Sequence, residues 1–390
     1  MYTVLMEKKI TLLITTILHF LVDLCCIYYV TGILIPLARD HGQYLRWVVF
    51  YNFMAFAFPA LLGLLADLLV KKRQLSLAAC GCFLIAAAFL LRHLPSGIYG
   101  TAAGLLPVFL LGLGNGMFHI GAGIRVMEHS LEQDRQDRSS ATDLNAHAPS
   151  PASRVKYAPP GIFISSGAVG VYLGGLWGRK YLPLWNVFLV LILCAGVVLL
   201  VCDRLLKGTS AHVPPAAAEG KKKFPPMREI LLPCLLLFGV VVIRSYYGSI
   251  LSYGWKTGVL MGLVFTLFIV GGKFFGGIAA DLMGIQRAVL LSLGAGGILA
   301  LFSFSGPVPG CLSVFLFNMT MPLTLTLLTL LMPEYKGFAF GLLMLALFLG
   351  TLPTMVFDIH ALFSGTGLLF LCLVSLAGLL LAVRMERSRL

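Results

Sequence analysis

Six side chains able to bind or move charge sit inside apolar stretches of this chain: His19, Asp23, Asn115, His119, Arg244 and Lys273. An ionisable group costs roughly 2.5–3.5 kcal/mol at the middle of a membrane span, so it persists where it is paired or lines a wet cavity. His19 and Asp23 are four residues apart and share one helix face. At about 1.5 Å per helical residue, Asp23 lies about 20 Å into its apolar run and Arg244 about 22 Å into its own. Equal depth in equivalent helices is what an ion pair between two halves requires, so the spacing predicts contact between Asp23 and Arg244. That pair would either separate, letting the carboxylate take up a proton, or hold the fold permanently. His119 is expected at a depth close to that of His19, as a proton relay, a ligand group or a satisfied interior histidine. Lys273 either meets an anionic substrate or snorkels towards the membrane surface. The His19–Asp23 pair has no accompanying nucleophile or oxyanion arrangement, so no enzyme is expected.

The elements that must position these groups are membrane spans. Hydrophobic residues make up 59% of the chain and charged ones 12%, with a mean hydropathy of +0.93. That balance excludes a soluble globular enzyme. Apolar runs of about 20 residues cross a bilayer as helices. Such runs fall near 10–36, 45–70, 74–92, 101–126, 161–181, 183–203, 229–253, 256–282, 286–304, 308–332, 335–357 and 361–383. The expected fold class is therefore an all-α polytopic membrane protein of twelve transmembrane helices in two pseudo-symmetric six-helix bundles.

The two halves repeat each other in order. Gly63 and Asp67 close one apolar run, and Gly277 and Asp281 close another. Basic residues follow each: Lys71, Lys72 and Arg73 in the first half, Arg287 in the second. Tyr28 and Tyr29 are echoed by Tyr246 and Tyr247. Repeats of this kind mark secondary transporters, whose substrate site lies where the repeats meet. The expected domains are an N-terminal bundle over 1–203 with an insert at 128–160, a linker over 204–228 rich in Pro and Lys, and a C-terminal bundle over 229–390. Within the insert, the charge-mixed stretch from Glu128 to Arg138 reads as a short surface helix.

The net charge of +13 is a matter of topology rather than of a nucleic-acid partner. Of 29 lysines and arginines, 21 fall on the side that carries both termini and six on the other. By the positive-inside rule both termini face the cytoplasm, in a multi-pass protein of the cell (inner) membrane. The nine cysteines lie mostly within spans and show neither disulfide nor metal-ligand spacing. No cofactor and no resident metal are expected.

These residues resemble the major facilitator superfamily, whose loop between spans 2 and 3 carries a Gly, an Asp four positions on, and a basic run. Gly63, Asp67, Lys71, Lys72 and Arg73 match that pattern, while Leu68 and Val70 depart from it; Gly277, Asp281 and Gly284 repeat it in part. The resemblance implies that Asp67 sits by the positive N-terminus of span 11 and helps to gate the site. Span 5 is similar to that of drug:proton antiporters through Gly161, Gly170, Gly174 and Gly178, with Gly175 where a proline is usual. Such glycines let helices approach closely and seal against proton leak. Within the superfamily the chain looks most like fosmidomycin-resistance-type efflux proteins. The likeness rests on His19, Phe20 and Asp23, the run from Gly112 through Asn115 to Phe118 and His119, Arg244, and Lys273.

The resulting expectation is proton-coupled export of a small amphipathic or anionic molecule by alternating access. Asp23, His19 and His119 would handle the proton. Arg244, Asn115, Lys273, Tyr28, Tyr29, Tyr246 and Tyr247 would meet the substrate. Gly63, Asp67, Lys71, Lys72, Arg73, Gly277, Asp281, Gly170 and Gly174 would gate. The partners are a small molecule, protons and the lipid bilayer, and the protein is expected to be monomeric. Uptake of a nutrient or organic anion, or a non-transporting membrane scaffold, are the alternatives.

Overall fold

A computed structural model describes residues 2–70, 73–92, 104–142, 156–205, 226–357 and 364–387 of the 390-residue chain, with backbone alone for 2–5, 132–142 and 387. Its helices are α1 (Met6–Leu37), α2 (His41–Leu69), α3 (Gln74–Leu91), α4 (Leu105–Leu131), α5 (Ala158–Arg179), α6 (Trp185–Leu205), α7 (Met227–Ile250), α8 (Gly258–Met283), α9 (Ile285–Leu301), α10 (Pro307–Leu331), α11 (Lys336–Val356) and α12 (Gly365–Glu386). Eleven of them are long and apolar enough to cross a membrane; α9 is shorter. With an even number of helices among the described residues, α1 starts and α12 ends at one face, here called the termini face.

Local chemistry sets several helix features. The Asp40 carboxylate caps α2 by accepting the Gln43 amide at 2.7 Å. Three helices widen to π geometry, at Tyr29–Leu34 in α1, Phe53–Ala57 in α2 and Leu290–Ala295 in α9. The first two segments lie just before a proline, Pro36 or Pro59. Proline lacks the N–H that the preceding turn would receive and crowds its carbonyl, so the helix relaxes locally rather than breaking. The sharp reversal between α8 and α9 turns on Gly284 at φ +85°, a backbone conformation that side chains with a Cβ resist.

The packing obeys one rule: adding six to each helix number converts the contacts of one half into those of the other. Helix α1 packs on α5 as α7 packs on α11, α3 on α6 as α9 on α12, and α2 on α4 as α8 on α10. Between halves, α2 meets α11 as α8 meets α5. Close crossings use glycine. A Cβ on Gly170 or Gly174 would collide with α1 backbone at Phe20 and Leu24, and one on Gly63 with the Gly337 carbonyl. With lipid on the outside, such small-residue contact replaces the hydrophobic drive available in water.

The structure departs from expectation in one element. The stretch from Glu128 to Arg138 is not a separate surface helix; the helix begun at Leu105 runs on to Thr142 without a break. Neither Gly nor Pro occurs between Ile124 and Thr142, so nothing ends it sooner. Residues 143–155 of the insert, 206–225 of the linker, and Lys71 and Lys72 lie outside the described residues.

Candidate functional site

The buried polar centre of the first half is built by α1 and α4. His19, Asp23 and His119 are 5%, 8% and 6% exposed. The helical step from 19 to 23 stacks the first two on one face, and His19 Nε2 lies 3.3 Å from Asp23 Oδ2. From α4, His119 Nε2 lies 2.9 Å from His19 Nε2 and 3.6 Å from Asp23 Oδ1. The two imidazoles meet edge to face, with centroids 4.7 Å apart.

Hydrogen bonding on the far side of each ring fixes the tautomer of its neutral form. His19 Nδ1 is 2.8 Å from the Phe163 carbonyl of α5, and His119 Nδ1 is 2.9 Å from the Asn115 carbonyl one turn back. A carbonyl oxygen only accepts, so both Nδ1 atoms donate. In their neutral forms both rings therefore turn a lone pair inward from Nε2, towards each other and towards the Asp23 carboxylate. Three acceptors converge with no donor among them.

Gly167 of α5 closes this centre from the side. A Cβ there would fall 2.6 Å from His19 Nε2 and would collide with Asp23 Oδ2. The glycine spacing singled out in span 5 did not include Gly167, whose importance depends on the rotation of α5 against α1. Asn115 is 1% exposed and donates its amide to the Tyr51 hydroxyl at 2.6 Å. Its side-chain carbonyl has no hydrogen-bond partner among the described residues.

The predicted contact between Asp23 and Arg244 is absent. Arg244, 6% exposed in α7, donates to Thr324 Oγ1 of α10 at 3.2 Å, and among the described residues no carboxylate lies within ion-pair distance of it. Depth arithmetic gave the height of each residue but not its azimuth: Asp23 turns towards α4 and α5, Arg244 towards α10. Lys273 of α8 is half-buried and within electrostatic reach of both Asp23 and Arg244.

The paired tyrosines do not form one shared lining. Tyr28, Tyr29 and Tyr247 are at most 2% exposed and packed within their own halves. Tyr28 donates to the Leu182 carbonyl at 2.5 Å and Tyr29 to the Ala88 carbonyl at 3.2 Å. Tyr247 stacks on Phe317 with centroids 4.0 Å apart and shares a hydrogen bond with Ser313 at 3.1 Å. Buried tyrosine needs a partner for its hydroxyl, and helix packing supplies one here. Tyr246 is half-buried.

At the termini face the repeated aspartates meet helix N-termini of the opposite half. Asp67 accepts the Gly337 and Phe338 amides of α11 at 2.9 and 2.8 Å. Asp281 accepts the Tyr157 and Ala158 amides at the start of α5 at 2.7 and 3.0 Å. Anions at helix N-termini satisfy unpaired amides and face the positive end of the dipole. Gly277 adjoins the second contact, where a Cβ would collide with the Tyr157 carbonyl. Arg73 is exposed at the start of α3.

No protein-family model matches the sequence, and no curated protein does. Solved structures of the same fold exist. The chain superposes on the E. coli fucose:proton symporter FucP, in a variant form, at 13% identity and a TM-score of 0.59, covering 97% of this chain and 99% of that one. FucP in an outward conformation, described as a major facilitator superfamily transporter, gives 14% identity, 94% and 98% coverage, and a TM-score of 0.56. The human organic anion transporter MFSD10 (TETRAN) gives 15% identity, 96% and 99% coverage, and 0.60. The chain is a multi-pass membrane protein with the fold of major facilitator transporters.

Proposed function

We propose that this chain is a secondary active transporter coupling proton movement to export of a small anionic or amphipathic molecule by alternating access. The observation that carries the reading is the convergence of acceptors alone at His19, Asp23 and His119. Such a buried cluster is stable around a cation and costly without one. One proton turns the 2.9 Å contact between the rings into a charge-assisted hydrogen bond. Loss of that proton to the other side of the membrane is the coupling step.

Substrate falls to Arg244 and Lys273, two cations without an ion-pair partner among the described residues. They outnumber Asp23, so an anion completes the centre while the cluster carries no proton, and export requires that anion and proton bind alternately. The bundles over 1–203 and 229–390 would rock about this level, with Asp67 and Asp281 holding the termini face shut. The distribution of basic residues supports a cytoplasmic termini face in the cell membrane. The resemblance of its motifs points to efflux proteins of fosmidomycin-resistance type, and the protein would act as a monomer.

The test is resistance in an efflux-deficient bacterium against a compound panel that includes fosmidomycin, comparing wild type with Asp23→Asn. Resistance that vanishes in the variant is expected. Full activity in Asp23→Asn would remove that residue from the mechanism. Uptake is the second reading, favoured by FucP being a fucose:proton symporter; the direction of transport in inverted vesicles separates the two.

A further inference from the structure

We infer that His19, Asp23 and His119 form a binding site for one divalent transition-metal ion of the zinc class. The inference concerns equilibrium binding and stands apart from the transport reading. Its basis is the geometry of the three donors, all within 4.8 Å of one another and all buried.

The two Nε2 atoms stand 2.9 Å apart, and the Asp23 carboxylate presents one oxygen to each ring, Oδ2 at 3.3 Å from His19 Nε2 and Oδ1 at 3.6 Å from His119 Nε2. Zinc holds imidazole nitrogen and carboxylate oxygen at about 2.0–2.2 Å, and two such ligands at roughly 90–110° stand about 2.9–3.5 Å apart. The donors therefore already stand at ligand spacing, with little rearrangement needed. Both imidazoles are held for metal binding in the usual way: Nδ1–H is fixed by a backbone carbonyl, Phe163 for His19 and Asn115 for His119, leaving each Nε2 unprotonated and pointing inward. One carboxylate and two neutral rings leave a bound dication with a single net positive charge.

Gly167 lets α5 close on these donors, since a Cβ there would collide with Asp23 Oδ2 and His19 Nε2 and push them out of ligand spacing. Two nitrogen donors select zinc and cobalt over magnesium and calcium, which prefer oxygen. The groups bearing on the ion are Lys273 from α8, which opposes it, and Tyr51 of α2 and Cys26 of α1, which lie near Asp23. The ion would tie α1 to α4 directly and to α5 through the Phe163 carbonyl.

The test uses the purified full-length protein in detergent, with any affinity tag removed, and Zn2+ followed by titration calorimetry. One equivalent is expected to bind, with Mg2+ giving no saturable signal. His119→Gln and Asp23→Asn should each weaken Zn2+ at least tenfold, and Zn2+ should raise the melting temperature of the wild type far more than that of either variant. Zinc-edge X-ray absorption on the wild type needs no variant and should count two imidazoles. Absence of saturable binding, unchanged affinity in both variants, or fewer than two imidazoles would each overturn the inference. All three readouts are independent of transport, so a failure here leaves the proton-coupling reading to its own test.

Discussion

Asp67 and Asp281 make the same bonds in opposite directions. Each carboxylate accepts two consecutive amides at a helix N-terminus of the other half, Asp67 from α11 and Asp281 from α5. The two contacts lie at one face and bridge the two interfaces that pair the halves. Asparagine at either place loses the charge and one of the two accepted bonds, a change of about 1 kcal/mol. Spin labels at the termini-face ends of α2 and α11 should report a broader, longer distance distribution in Asp67→Asn and in Asp281→Asn. The double variant should shift by the sum of the two in free energy, because separate sites add. An unchanged distribution in the double variant would show that these bonds do not hold the face shut.

Gly167 gives a sharper probe of the buried centre than the ionisable residues do, because alanine removes no charge. The added methyl must displace His19 or Asp23, and overpacking of this kind costs about 1–3 kcal/mol. Gly167→Ala should lower transport more than tenfold while the protein still inserts and melts cooperatively. Transport at the wild-type rate would mean that the positions of these side chains are not critical.

Arg244 separates a binding role from a structural one. Its guanidinium is buried with a single neutral partner, Thr324. Removing a buried charge that lacks a counter-ion relieves desolvation, so Arg244→Met should melt at or above the wild-type temperature. Transport should fall at least tenfold, since an anion loses its anchor. A variant that unfolds would identify Arg244 as part of the scaffold instead.

Tyr247→Phe should do the opposite. The stack on Phe317 survives and only the bond to Ser313 is lost, costing about 1 kcal/mol of stability. Transport within twofold of wild type is expected. Lost transport at unchanged melting temperature would place the hydroxyl in contact with substrate.

What the sequence conveys well is whatever depends on length along one helix. Span positions, the repeat, and the shared face of His19 and Asp23 all follow from apolar run length and helical period, whereas the approach of Asp67 to α11 is what the family resemblance implies. What it conveys poorly is rotation. His119 was placed at the level of His19, but nothing in either helix alone brings the two Nε2 atoms within 2.9 Å. The same blindness led to the expected Asp23–Arg244 pair and to a tyrosine set of which the packing buries Tyr28, Tyr29 and Tyr247. Gly167 escaped notice because a glycine declares its use only when its neighbour is known. The continuity of the helix through Glu128 to Arg138 has a different reason: a polar, charged segment without Gly or Pro supports a helix as readily outside a bilayer as inside.

That continuous helix has a practical consequence. Its 38 residues span about 57 Å at 1.5 Å each, whereas a bilayer with its headgroups is about 40–45 Å thick. Roughly two to three turns of this helix, beyond the end of α4 proper, would therefore stand clear of a detergent micelle. For a 42.2 kDa particle otherwise enclosed in detergent, such a projection is a natural landmark. A nanobody raised against it would give electron microscopy a mass by which to align the particle without touching the buried centre.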